Sequence, residues 1–347
     1  MRTLASIQKI EELSAIPGAD KIEVARILGW NVVVQKGVFR PGDKCIYCEI
    51  DSMLPDKPEY EFLRNRCWHD RLGGYRIKTS KLRGVISQGI AFPLNGVEGE
   101  IGDDLTEKLG IWKYDPPAVH GQGGVLLGCT RGAFPSFIPK TDETRIQSIP
   151  DVLERHRGVV VCATEKYDGT SMTCFLDSED NELHVCSRNL DVYPPDHEHG
   201  KPSVYWEVAQ KLQIESILHN MGGEFAIQGE IIGPGIQKNK YGLPTTDLKI
   251  FNLFDTKKGA YVGWYDAMSQ LVDGNLPQRN LAATVVDPFP LEHSVEDILN
   301  LAKGNSELAD TPREGIVIRP VVETRDLKLG RLSFKAINND FLLKHGE

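Results

Sequence analysis

Glu165-Lys166-Tyr167-Asp168-Gly169-Thr170-Ser171 is the stretch on which the reading of this chain turns. In an extended strand alternate side chains share a face, so Lys166 and Asp168 point the same way. A lysine amine acts as a nucleophile when it is fixed in place and can shed its proton, and burial beside other cations lowers its pKa to that end. Asp168 then faces the same pocket, where its carboxylate could orient a substrate or hold a metal. Gly169, lacking a Cβ, lets backbone pass close to a bulky ligand. Taken alone, Lys-x-Asp-Gly reads as an ordinary hairpin turn after a strand. The rest of the chain decides between the two.

The 347 residues are enough for two or three domains with their own cores. Hydrophobic residues make up 40% and charged residues 26%, the balance of a soluble globular protein. No apolar run reaches the length of a membrane span, and Met1-Arg2-Thr3-Leu4-Ala5-Ser6 has no signal-peptide core, so an intracellular protein is expected, cytoplasmic if prokaryotic. The seven cysteines are an odd number and widely spread, which argues against a disulfide framework. Cys45 and Cys48 lie in a β-rich run and read as reduced strand cysteines. Cys67-Trp68-His69 and His197-Glu198-His199 are poor metal sites. The net charge of −9 is not that of a bulk polyanion binder. One basic cluster stands out, Arg71, Arg76, Lys78, Lys81 and Arg83, which fits either a nucleic-acid contact or a solvated charged hairpin.

The first hundred residues read as short strands between Gly/Pro turns, among them Ile22–Ile27, Asn31–Gln35, Cys45–Ile50, Arg76–Thr79 and Gly89–Pro93, a pattern that predicts a small barrel. The run Ile16-Pro17-Gly18-Ala19-Asp20-Lys21-Ile22-Glu23-Val24-Ala25, then Gly29-Trp30, Lys36-Gly37 and Gly42-Asp43-Lys44-Cys45-Ile46-Tyr47, resembles the OB-fold module of tRNA-binding domains. The Pro/Gly-rich stretch from Tyr114 to Gly124 reads as a linker. In Pro139–Gln147, Thr141 or Asp142 followed by acids predicts a helix start. Helices are expected near Val204–Asn220 and Val295–Lys303, among antiparallel strands.

Six segments follow one another in order: Glu165–Ser171; Ser187-Arg188-Asn189; Gln228-Gly229-Glu230 with Gly233-Pro234-Gly235-Ile236-Gln237-Lys238; Leu248–Asp255; Arg313-Glu314-Gly315-Ile316-Val317-Ile318-Arg319; and Leu332-Ser333-Phe334-Lys335-Ala336. Each residue alone has an ordinary explanation, as surface arginine, strand-edge carboxylate or core aromatic. The ordered set resembles the nucleotidyltransferase motifs of polynucleotide ligases and capping enzymes, and most closely the ATP-dependent RNA ligases of the RNA ligase 2-like clade that carry an N-terminal OB module.

The resemblance implies an α+β protein. An OB-fold β-barrel at 1–112 and a linker at 113–130 would precede an adenylyltransferase domain at 131–347 with an ATP-grasp-like antiparallel sheet. It implies that Lys166 attacks ATP to form lysyl-AMP, that the AMP passes to an RNA 5′-phosphate, and that a 3′-hydroxyl then displaces it. Asp168 and Lys335 would act in catalysis, with Lys335 against the α-phosphate. Glu165, Gly169, Arg188, Glu230, Phe254, Glu314 and Lys335 would contact the nucleotide. Phe254 would stack on adenine, with Phe251 the competing candidate on the opposite strand face. Asp168, Glu230 and Glu314 are hard oxygen ligands for Mn²⁺ or Mg²⁺, directly or through water, and such a metal helps depress the Lys166 pKa. Arg76, Lys78, Lys81 and Arg83 would face RNA. The expected partners are ATP and RNA ends, and the expected state is a monomer.

The chain departs from the family pattern at Ile337, where a second lysine is common. Lys328 and Arg331 stand upstream as possible substitutes. DNA ligases and capping guanylyltransferases place an OB domain after the last motif, and here twelve residues follow Lys335. The rival reading is an RNA-binding protein with a degenerate ligase domain, against which stand the intact Lys166, Asp168, Glu230, Glu314 and Lys335.

Overall fold

The computed structural model describes residues 3–114, 129–179 and 181–346. The linker expected at 113–130 falls mostly on residues 115–128, outside the described residues. The chain divides into two compact units.

The first unit takes residues 1–117 and adds two distant segments, 145–152 and 339–347. Its strands are short, as the turn spacing predicted, and they pair antiparallel. Ile22–Ile27 pairs with Trp30–Gln35 across the tight Leu28-Gly29 turn, and Lys44–Cys48 lies between Ala5–Lys9 and Ile90–Pro93. Alternation along Trp30–Gln35 puts Trp30, Val32 and Val34 inside. Cys45 and Cys48 are buried strand cysteines whose thiols burial pushes up to about 12, so they are protonated and inert. Arg76–Thr79 is less regular than expected, the strand being Gly74–Arg76. The segment Ile146–Ser148 seats against the Leu28-Gly29 turn, where Gly29 N donates to Gln147 O at 2.8 Å.

The second unit is built on two antiparallel sheets. One has seven strands in the order Thr130–Ala133, Leu190–Val192, Leu183–Cys186, Thr170–Leu176, Phe225–Ile232, Asp247–Asp255, Ala260–Tyr261. The other includes Phe334–Ile337, Gly315–Pro320, Val160–Lys166 and Thr284–Pro290, in that order. Val160–Lys166 and Thr170–Leu176 therefore belong to different sheets. Tyr167-Asp168-Gly169 carries the chain from one sheet to the other, and no hairpin is closed there.

Two helix expectations change. The predicted Val204–Asn220 helix is two helices, Val204–Lys211 and Ile214–Asn220, broken where Gln213 takes φ 54°. No helix starts at Thr141 or Asp142. Their side chains and that of Glu143 make tertiary contacts: Thr141 with Ser171, Asp142 with Arg188, Glu143 with Ser333. Capping groups engaged that way cannot satisfy the N–H groups of a first turn. The helix at Val295–Leu301 is present, opened by a full capping box between Ser294 and Asp297.

A Cβ at Gly29 would lie 2.6 Å from Gln147 Cα, a backbone atom, so Gly29→Ala must separate the turn from the 145–152 segment. The expected cost is about 1–3 kcal/mol in urea unfolding. Gly132→Ala meets nothing within 4 Å and should stay within about 0.5 kcal/mol of the parent.

Candidate active site

Lys166 is the last residue of Val160–Lys166 and stands opposite Gly315 of the neighbouring strand. A Cβ at Gly315 would lie 2.2 Å from Ala336 O, so glycine is what allows three strands to close up here. Glu314, one residue earlier, reaches back to Lys166, its Oε1 at 2.7 Å and Oε2 at 2.8 Å from Nζ. The pair is partly shielded, with Lys166 24% and Glu314 13% exposed. Glu230 arrives from the other sheet, where Phe225–Ile232 pairs Glu230 with Ser171.

Three carboxylates thus crowd one amine. Burial, reinforced by the charges of Glu314 and Asp168 and opposed by Lys166, pushes Glu230 up to about 8. Burial pushes the Lys166 amine down, but the charges of Glu314, Glu230 and Asp168 and the hydrogen bond to Glu314 outweigh it, so its pKa is raised. The sequence reading expected neighbouring cations and a depressed value. The residues that line the pocket reverse that direction in the free protein.

Asp168 is held from two sides. Its backbone N donates to Tyr241 Oη at 2.7 Å, and its Oδ2 lies 2.6 Å from Lys240 Nζ. Both partners come from the loop after Phe225–Ile232. That loop contains three successive non-glycine residues in the left-handed region, Gln237, Lys238 and Asn239, at φ 43°, 62° and 48°. Each such residue costs roughly 1–2 kcal/mol. Gly169 also allows a close approach within the protein: a Cβ there would sit 2.2 Å from Ile231 O and 2.7 Å from Glu230 Cγ. It brings the Asp168 turn against the Glu230 strand.

The other expected residues divide. Lys335 stands opposite Val317, which stands opposite Thr164, so its side chain shares a sheet face with Lys166. Glu165 points the other way. It is buried, accepts from Ser306 Oγ at 2.5 Å and Glu307 N at 3.0 Å, and burial raises its pKa. Arg188 is exposed and donates to both oxygens of Asp142. Phe254 is 2% exposed, packed with Ile138, Phe175, Cys186 and Ala226 and edge-on to Tyr261. The strand is irregular at Phe251: Gln228 pairs with Asn252 and Gly229 with Ile250, so Phe251 is an extra, bulged residue. The expected opposition of Phe251 and Phe254 assumed a regular strand. Phe251 is half-buried, with the Arg319 guanidinium 5.7 Å from its ring centre.

Among the described residues no three His, Cys, Asp or Glu side chains gather closely enough to cage a metal. Asp168 and Glu314 each face a lysine, which leaves this donor set suited to a cation that keeps waters and shares phosphate oxygens. In the first unit Lys78, Lys81 and Arg83 are exposed, while Arg76 lies over the Tyr114 ring at 3.8 Å and 3.7 Å from Asp51. Arg76 is thus engaged within its own unit.

Sequence reasoning missed Lys240, which lies two residues beyond the segment that drew attention. It also missed a network that ties buried Tyr167 and Lys249 to one partly exposed carboxylate: Tyr167 Oη donates to Glu307 at 2.5 Å, and Lys249 Nζ sits 2.7 Å from the same carboxylate. Buried Arg319 was missed as well. It lies on the Lys335 face within 3.8 Å of Glu143, and burial and Arg331 push its pKa down to about 10.

A family profile for OB-fold domains matches residues 4–94, and one for RNA ligases matches residues 159–337. No match is found among curated protein sequences. Solved structures of Naegleria gruberi RNA ligase align over the whole length. The form with PPi has a TM-score of 0.88 at 33% identity, covering 100% of this chain and 99% of that one. A variant with ATP and Mn gives 0.87 at 32%, covering 99% of each. Another, with AMP and Mn, gives 0.88 at 32%, also covering 99% of each.

Glu230 holds its proton more tightly folded than unfolded, since its pKa rises from 4.5 to about 8. It therefore subtracts stability as pH climbs through that window. Glu230→Gln should melt higher than the parent at pH 9 in thermal scans, with the gap closing toward pH 5.

Proposed function

The chain belongs to the RNA ligase family, and we propose that it is an ATP-dependent enzyme that joins RNA 3′-hydroxyl and 5′-phosphate ends, with nicks in duplexes as its preferred substrate and RNA repair as its role. The observation that carries this reading is the single amine at Lys166, fixed by Glu314 at 2.7 Å at the end of a strand that shares its face with Lys335. A fixed amine with a nearby cation for the developing charge is what attack on a phosphorus requires.

Lys166 Nζ, once deprotonated, gives its electron pair to the α-phosphorus of ATP. A nitrogen–phosphorus bond forms, the bond to the bridging oxygen breaks, and pyrophosphate leaves with that pair. An oxygen of the RNA 5′-phosphate next attacks the same phosphorus, and the pair in the nitrogen–phosphorus bond returns to Lys166. Last, the 3′-hydroxyl gives up its proton to solvent and attacks the activated 5′-phosphorus; an oxygen–phosphorus bond forms, the anhydride bond to AMP breaks, and AMP leaves with that pair. Lys335 faces the α-phosphate throughout. A divalent ion, Mn²⁺ or Mg²⁺, supplies charge neutralisation on the phosphates, and Glu230 would hold it with Asp168 and Glu314 through water. Glu314 holds the amine in line and can take its proton.

Phe251 is assigned to the adenine in preference to Phe254, because a ring packed on every side has no face left for a base. Arg188 remains the candidate for the ribose, which requires it to leave Asp142. The first unit binds RNA through Lys78, Lys81 and Arg83, an electrostatic contact that weakens with salt.

Incubation with α-labelled ATP and a divalent ion, followed by a chase with nicked RNA, tests the reading. Wild type should take up label and release it to RNA. Lys166→Ala should take up none, and retained label there would remove the mechanism. Phe251→Ala should raise the KM for ATP about 10-fold, the value of a lost aromatic face. Phe254→Ala should instead lower the melting temperature, as an emptied core site does. A KM effect confined to Phe254→Ala would return the base to that residue.

A further inference from the structure

We propose that Lys240 is the cation for the β- and γ-phosphates of the nucleotide, held in readiness on Asp168 by the left-handed turn at residues 237–239. The inference rests on the ligase reading above and adds a residue to it.

Position comes first. Lys240 is 9% exposed and Asp168 14%, with Nζ 2.6 Å from Oδ2. A buried ion pair is weak evidence for a purely stabilising role, because its desolvation offsets its attraction. This one lies two residues past the nucleophile.

The backbone is the second, independent observation. Three consecutive left-handed residues without a glycine persist only where the surroundings over-determine them. Here the turn is pinned at each end. Gln237 Nε2 reaches Gly169 O at 3.4 Å, and the Asn239 side chain closes on Leu243 N at 3.0 Å and Leu243 O at 2.9 Å. Tyr241 Oη then takes the Asp168 N–H. Strain so arranged sets the direction of one side chain, that of Lys240.

Charge is the third. Asp168, Glu230 and Glu314 already surround Lys166, and a triphosphate adds several negative charges to the same space. Lys166 cannot answer them, because it must be neutral to react. Ile337 stands opposite Gly315, in line with Lys166, and puts an apolar buried side chain where the sheet face could have offered another cation. The α-phosphorus must sit within reach of Lys166 Nζ, on the face shared with Lys335. Lys240, held on Asp168 two residues from that amine, is the cation we assign to the rest of the phosphate chain. On binding, Lys240 exchanges the Asp168 carboxylate for phosphate oxygens. The exchange leaves Asp168 to the water shell of the phosphates.

Calorimetric binding in a Lys166→Ala background, where no covalent step occurs, tests this without measuring activity. With Mg²⁺ present, adding Lys240→Ala should weaken ATP roughly 10- to 100-fold, the worth of a hydrogen bond to a charged group. AMP, which lacks the β- and γ-phosphates, should bind within about 2-fold of the parent, a gap too small for such a bond. Lys240→Gln keeps the aliphatic stem and should behave like Lys240→Ala, while Lys240→Arg should recover much of the ATP affinity. Equal losses for ATP and AMP would overturn the assignment, as would unchanged ATP binding. If the Lys166→Ala parent itself bound no ATP, the ligase reading would fall and this inference with it. Unchanged ATP binding in Lys240→Ala would remove this inference alone.

Discussion

The ion pair between Lys166 and Glu314 is the contact on which the site depends. It joins the ends of two adjacent strands, and Gly315 makes it possible, since any side chain there would push Ala336 away. With the amine anchored, the chain leaves the strand through Tyr167-Asp168-Gly169 and enters the other sheet at Thr170. One short crossing therefore fixes the nucleophile, brings Asp168 beside it and seats Glu230 against Gly169. The two sheets are held in register by the same residues to which the proposed chemistry is assigned.

That economy has an electrostatic consequence. Burial alone would lower the pKa of the amine, but three carboxylates more than offset that and raise it. The free protein therefore holds Lys166 as an ammonium, stable and unreactive. Its ion pair adds stability below the unfolded pKa of the amine, and that contribution is lost as pH rises through the folded value. A divalent cation arriving with the nucleotide would change the balance, because it competes with Lys166 for the carboxylates that hold the proton in place. The strained loop at 237–239 and the buried Lys240 belong to the same ledger of charge.

Much of this was legible in the sequence because motif order survives where single residues are ambiguous. Lys166, Asp168, Glu230, Glu314 and Lys335 were singled out that way, while turn spacing predicted a small barrel and the resemblance of the 16–47 run made it an OB fold. What was illegible depended on tertiary contacts. Thr141, Asp142 and Glu143 look like a helix start, yet each is used by a partner far along the chain. The bulge at Phe251 breaks the alternation on which any face assignment rests. The direction of the Lys166 pKa depends on which charges surround it, and the pattern gave positions without distances. Lys240 lies outside the quoted motif and was marked only by the fold of its loop. The segments 145–152 and 339–347 join the first unit through contacts distant in sequence, such as Gly29 N to Gln147 O, which no local pattern announces.

The protonation of Lys166 in the free protein tests the account most directly. Selective isotope labelling of lysine side chains allows each amine to be titrated by NMR, with Lys166→Met identifying the resonance. The account predicts a Lys166 pKa above the ordinary 10.5, and a lower value once Glu314→Gln removes the paired charge. A wild-type value below 10.5, or one that does not move in Glu314→Gln, would contradict it.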